Sequence, residues 1–263
     1  YYAHWQLMSH IHQHGYKISI SGTAADELYS GYYDHHLFYL AAVAGDAQRH
    51  PQAVAEWRQT IAPFVRNPFL SDPDRFVRDP NFRDHIFLGA DEFAATMHRP
   101  WSEPFAETPY CGDPLRNRML NELFHEAVPV ILHEDDANAM YWSIENRSPF
   151  LDRDLFEFSL RIPTRHLIQR GSAKAVLRDA MRGIVPAAVL DSPRKVGFNA
   201  PIFDYLDVRN PSVVAEVLSD GPIWDILERS AIAEYLDQVT LPNSESKFLF
   251  SFVNAKLFLE EFA

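Results

Sequence analysis

Cysteine is almost absent from this chain: Cys111 stands alone among 263 residues. One thiol cannot close a disulfide or build a cysteine-based zinc site within the chain. That usage fits a reducing cytoplasm. Long apolar runs are absent as well. No stretch approaches the ~18–20 apolar residues of a membrane span. Positive charge is scarce, with 24 Lys and Arg against 36 Asp and Glu and a net charge of −12. Phosphate backbones require basic patches, so nucleic acid is not expected as a main partner. The opening Tyr1-Tyr2-Ala3-His4-Trp5 has no methionine and no basic stretch leading into an apolar one. A secretory signal is therefore not expected, and the chain reads as a fragment or a processed protein. Without a signal, the acceptor pattern at Asn146-Arg147-Ser148 carries no weight.

What remains describes a packed protein. Hydrophobic residues make up 47% and charged residues 23%, the balance of a soluble core. The length suits one large domain or two small ones. Residues 2–14 have helical composition and stop at Gly15. Residues 17–21 alternate isoleucine with polar residues and read as a strand. Helices are expected over 26–44, 53–65, 114–132 and 136–144. Asp152 opens another that ends near Ile162-Pro163, and Ser172 one that ends near Gly183. The last two are expected over 221–237 and 244–262. Phe248, Phe250, Phe252, Leu257, Phe258 and Phe262 should bury at least one face of the final helix. Between 67 and 113, proline and turn residues predict loops and short helices. A lone strand is not stable, so the partners of 17–21 are weakly marked or lie outside the chain.

Three segments carry chemistry. The first is Ser21-Gly22-Thr23-Ala24-Ala25-Asp26-Glu27, where the strand gives way to a helix. Small residues at such a turn let backbone N–H groups approach an anion or a nucleotide. An Asp-Glu pair there can hold Mg²⁺, or can simply favour the helix dipole. The second segment delivers Glu145 and Arg147 from the end of a helix to Ser148-Pro149; its plain alternative is a surface ion pair. The third is Pro193-Arg194-Lys195-Val196-Gly197-Phe198-Asn199-Ala200-Pro201. There Lys195, fixed between prolines, is either a preorganised cation for phosphate charge or an ordinary surface lysine.

Taken together, these segments resemble the synthetase domain of glutamine-dependent asparagine synthetases and their relatives. Ser21 to Glu27 with Gly31-Tyr32, Asp136 to Asp152, Lys174-Ala175-Val176-Leu177-Arg178-Asp179-Ala180 with Pro186, and Pro193 to Phe198 follow the family pattern in order. The resemblance implies an α/β fold of the pyrophosphatase-loop kind, here predominantly helical with few strands, and makes residues 1–263 the C-terminal portion of a synthetase domain. It implies ATP and Mg²⁺ as cofactors, and amidation of a carboxylate through an acyl-adenylate. Ser21, Gly22 and Thr23 would contact the nucleotide, and Asp26 would bind Mg²⁺. Lys195 would stabilise leaving pyrophosphate, while Glu27 and Glu145 would lie near the acceptor. Ammonia would come from a separate glutaminase domain or subunit, and a homodimer is compatible with the pattern.

The departures are as informative. The family's Ser-Gly-Gly-x-Asp-Ser phosphate loop and its N-terminal cysteine nucleophile do not occur, and Cys111 is internal. The family's glycine is Ala24, which removes backbone freedom from the turn. Ala137 stands where a basic residue is usual, which favours another carboxylate, such as a sugar uronate, over aspartate. The rival reading is a non-catalytic scaffold that kept the fold and lost the phosphate loop. The histidines at 10, 12, 14, 35 and 36 offer no third ligand at a zinc spacing.

Overall fold

The computed structural model describes residues 2–101, 104–192 and 200–263. They form two compact units. The first comprises Tyr1–His85 with Ala106–Val196, and the second comprises Ile86–Phe105 with Gly197–Ala263.

In the first unit, α1 (Tyr2–Gln13) leads through Gly15 into β1 (Ile18–Ile20). The helix expected over 26–44 is two helices, α2 (Ala25–Tyr29) and α3 (Tyr33–Ala42). They are broken at Ser30, whose φ of 69° and ψ of 161° no helix tolerates. α4 runs over Arg49–Thr60, earlier in the chain than expected. The helix expected over 114–132 stops at Phe124 (α5, Pro114–Phe124), and α6 (Ala127–Tyr141) carries on in its place.

The largest correction concerns Glu145 and Arg147. They do not end a helix. Ser143, with φ at 55°, turns the chain out of α6, and Glu145–Arg147 forms a second strand, β2, parallel to β1. Ile18 pairs with Glu145, Ser19 with Asn146 and Ile20 with Arg147. α7 (Arg153–Arg161) starts as expected, with the Asp152 carboxylate accepting from the Leu155 N–H. Ser172 caps nothing. It forms an antiparallel bridge with Gln169, and α8 (Ala175–Ala180) begins only after Lys174.

The core of this unit gathers on α3, which is buried from Asp34 to Leu40. Leu37, Phe38, Tyr39 and Leu40 pack with Leu28, Trp57, Phe76, Leu115 and Met119. Phe38 stacks on Phe76 with ring centroids 3.9 Å apart. Burial of apolar surface stabilises at ~25 cal/mol per Å², and this cluster gathers most of the buried apolar side chains described in the unit.

The second unit holds α9 (Pro211–Val217), α10 (Arg229–Leu236) and α11 (Asn243–Phe262). Its core is Ile202, Val217, Ile223, Leu227, Ile232, Leu236, Leu249 and Phe252. The aromatic helix buries Phe252 but leaves Phe258 and Phe262 exposed, so only part of its aromatic stripe serves this core. Among the described residues, no helix is long and apolar enough to cross a membrane.

Candidate functional site

The site is built where β1 and β2 end. Side chains at the carboxyl ends of parallel strands project into a crevice that the sheet itself cannot fill. The Ser21 N–H donates to the Arg147 carbonyl at 2.8 Å, which prolongs the pairing by one residue. Beyond it the polar side chains meet. Ser21 Oγ lies 3.0 Å from both Thr23 Oγ1 and Ser148 Oγ. Ser19 donates to Asn146 Oδ1 at 2.8 Å. Asn146 and Thr23 both donate to Asp135 Oδ2, at 3.3 and 3.5 Å. Asp135 is buried on α6, and its other oxygen lies 3.2 Å from His4 Nδ1. Asp135 was not singled out by its sequence context, and the acid-rich run Glu134-Asp135-Asp136 was the only available signal.

The backbone of the turn is held in an uncommon conformation. Ala24 has a φ of 73°, in the left-handed region. An L-residue with a Cβ costs roughly 1–2 kcal/mol there, which accounts for the glycine that the related pattern carries at this position.

Asp26 and Glu27 follow on α2 and face different surroundings. Asp26 is partly exposed and forms an ion pair with Lys174. Lys174 is itself left-handed, with φ at 56°. Gly31 closes under this pair. A Cβ on Gly31 would occupy the space of the Asp26 carboxylate and the Lys174 ammonium. Glu27 is buried and accepts the Tyr32 hydroxyl at 2.5 Å. Burial, reinforced by the Glu27 charge, pushes the Tyr32 phenol well above its usual range, so it remains a donor. Glu145 lies on an exposed strand position and pairs with Arg147 at 2.8 Å. The Arg147 guanidinium holds its carboxyl below the ordinary value. Glu27 and Glu145 therefore engage separate partners. Lys195 lies outside the described residues.

A second polar cluster lies beneath the site. Asp34, His35 and Glu122 bring ligand atoms within 4.8 Å of one another, all buried. The carboxylates there already have protein partners. Arg118 Nε lies 3.5 Å from Asp34 and 3.2 Å from Glu122. The same guanidinium reaches Glu107 at 2.8 Å and Glu126 at 2.6 Å. Asp34 also faces His85 at 3.3 Å. Burial works to raise the Asp34 carboxyl, but the hydrogen bond from His85 and the Arg118 charge hold it below its ordinary range.

Comparison with known proteins adds the following. A family model described as asparagine synthase matches residues 2–260. Asparagine synthetase [glutamine-hydrolyzing] 1 of Bacillus subtilis is 31% identical over 107 residues, covering 41% of this chain and 17% of that protein. A putative asparagine synthetase [glutamine-hydrolyzing] of Mycobacterium bovis is 39% identical over 94 residues, covering 36% of this chain and 14% of that protein. Asparagine synthetase [glutamine-hydrolyzing] 3 of Bacillus subtilis is 25% identical over 178 residues, covering 66% and 25%. The matched stretches thus span between a seventh and a quarter of the relatives' lengths.

Proposed function

This chain belongs to the asparagine synthase family, and we propose from that premise that residues 1–263 are the C-terminal portion of the synthetase domain of a longer amide-forming ligase. The overall fold in this reading is the α/β pyrophosphatase-loop type. The reaction is ATP-dependent amidation of a small-molecule carboxylate. A carboxylate oxygen attacks the α-phosphorus of ATP, pyrophosphate leaves, and ammonia then displaces AMP from the acyl-adenylate. A separate glutaminase domain supplies the ammonia from glutamine, in the cytoplasm. The acceptor is aspartate or a sugar uronate, and the exposed Ala137 on α6 favours the uronate.

The observation that carries this reading is the turn after β1. Its hydroxyls gather at the carboxyl ends of two parallel strands, and the helix that follows the turn carries Asp26 of the carboxylate–ammonium pair. Ser21, Gly22 and Thr23 contact the nucleotide. Asp26 offers a hard carboxylate oxygen that is open to solvent on one side, the donor type that suits Mg²⁺ beside substrate phosphates. Bound there, Mg²⁺ would neutralise phosphate charge. Lys174 would keep a second positive charge at the same place. Lys195 meets the charge that develops as pyrophosphate departs. Glu145 lies towards the acceptor, and Glu27 holds the turn from behind through Tyr32.

The test is carboxylate-dependent exchange of pyrophosphate into ATP by the full-length protein. Asp26→Asn is expected to raise the half-saturating Mg²⁺ concentration roughly tenfold, the equivalent of ~1.4 kcal/mol. Unchanged exchange at limiting Mg²⁺ would remove Asp26 from the metal site. No exchange by the wild-type protein with any carboxylate would favour the scaffold reading.

A further inference from the structure

The turn between α2 and α3 contains a backbone outlier. Ser30 is fully buried and sits at φ 69°, ψ 161°, a region that is essentially reserved for glycine and costs on the order of 1–3 kcal/mol. Such strain persists only where the surroundings over-determine it. Here the restraints are visible. Ser30 Oγ donates to the Leu167 carbonyl at 3.4 Å and accepts the Lys174 N–H at 3.3 Å. The next amide, Gly31 N–H, donates to His35 Nδ1 at 3.1 Å. A backbone N–H can only donate, so Nδ1 is a lone-pair acceptor and the ring proton sits on Nε2. That proton is donated to Glu122, 2.6 Å away. His35 has no exposed surface, and Glu122 is buried beside Arg118.

Every link in this chain ends at the ion pair. Ser30 fixes the backbone of Lys174. Gly31 forms the floor on which Asp26 and Lys174 meet, and His35 fixes Gly31. We propose that His35, oriented by Glu122, is a positioning residue: through the Gly31 amide and the strained Ser30 it sets the geometry of the Asp26–Lys174 pair. The inference rests on the functional reading only in the value given to that pair. The imidazole acts through its tautomer. With Glu122 holding the proton on Nε2, Nδ1 is kept as the acceptor that Gly31 requires.

Two substitutions separate this role from core packing. His35→Asn keeps an acceptor near the Nδ1 position and gives up Glu122. His35→Gln keeps a donor towards Glu122 and takes the acceptor away from Gly31. The readout is competitive acylation of Lys174 in the full-length protein by a trace amine reagent, followed by mass spectrometry, with exposed Lys247 as the internal reference. A lysine released from its carboxylate partner is freer to meet the reagent, so His35→Gln is expected to raise Lys174 labelling about fivefold relative to Lys247. His35→Asn is expected to stay within about twofold of wild type. Gly31→Ala, which leaves His35 and Glu122 in place and intrudes on the ion pair, is expected to match His35→Gln, and it carries the test if His35→Gln does not fold. Equal labelling in His35→Asn and His35→Gln, or wild-type labelling in Gly31→Ala, would overturn the proposal. If labelling follows the expected order while Asp26→Asn leaves the Mg²⁺ requirement unchanged, the positioning role stands and the metal reading falls.

Discussion

Arg118→Leu is expected to unfold the first unit. The guanidinium is buried among four carboxylates, those of Asp34, Glu107, Glu122 and Glu126. Its positive charge is pushed well into the permanently protonated range, because these acids outweigh the effect of burial. Glu107 keeps Arg83, at 2.6 Å, and Asp34 keeps His85. Among the described residues, Glu126 has no second cation partner of this kind. Breaking one buried ion pair costs about 3–5 kcal/mol, because the remaining charge is left in a low-dielectric site. Several such losses together match the ~5–15 kcal/mol that holds a whole domain. Arg118→Lys should rescue only part of this, since one ammonium cannot serve Glu126 bidentately and also reach Glu122. Urea unfolding followed by circular dichroism checks it. A loss under about 1 kcal/mol in Arg118→Leu would show that the cluster contributes little net stability.

The second large effect is acid destabilisation through His36. This side chain is buried on α3. Burial drives its pKa down to about 3, with Asp34 opposing and Lys174 adding slightly. In the unfolded chain it titrates near 6.5. The unfolded state therefore takes up a proton below about pH 6.5, whereas the folded state refuses it until about pH 3. The stabilisation is whole above pH 6.5 and is lost progressively as pH falls, at ~1.4 kcal/mol per unit and about 5 kcal/mol in all. Asp34, whose carboxyl is held low, extends the loss below its unfolded value. Denaturant midpoints measured from pH 7 to pH 4 should fall steeply in wild type. They should flatten in His36→Gln, whatever that variant's stability at pH 7. Parallel slopes would mean that the buried imidazole already carries its proton.

The sequence made some of this plain and hid the rest for physical reasons. The Ser21–Asp26 turn was legible because small residues and a carboxylate pair followed an alternating strand. The start of α7 was legible because Asp152 is a strong N-cap. β2 was not, since Glu145-Asn146-Arg147 shows no apolar alternation and owes its conformation to a partner far away in the chain. The break at Ser30 was hidden because a serine occupies backbone space that usually announces itself with glycine. Lys174 opens a segment that follows the family pattern, but nothing in a separation of 148 residues links it to Asp26. His35, Glu122 and Arg118 read locally as ordinary polar residues of helices. Their burial is decided by the packing of α3 against α5, a tertiary fact.

The parallel pairing of β1 with β2 also bears on how the molecule comes together in time. Ser19 and Asn146 are 127 residues apart. Closing a loop of that length costs about 4 kcal/mol of chain entropy before any contact repays it, and contacts of such separation slow folding. The closure from α3 to α5 is somewhat shorter, 87 residues between His35 and Glu122, and it is repaid at once by burial of the core, so these helices can assemble first. Ser21, whose amide reaches across to the Arg147 carbonyl, should thus acquire protection from hydrogen exchange later than Phe38 or Met119 during refolding. Simultaneous protection would argue against this order. A half-folded chain would accordingly own most of its hydrophobic interior while the crevice beside the strands did not yet exist.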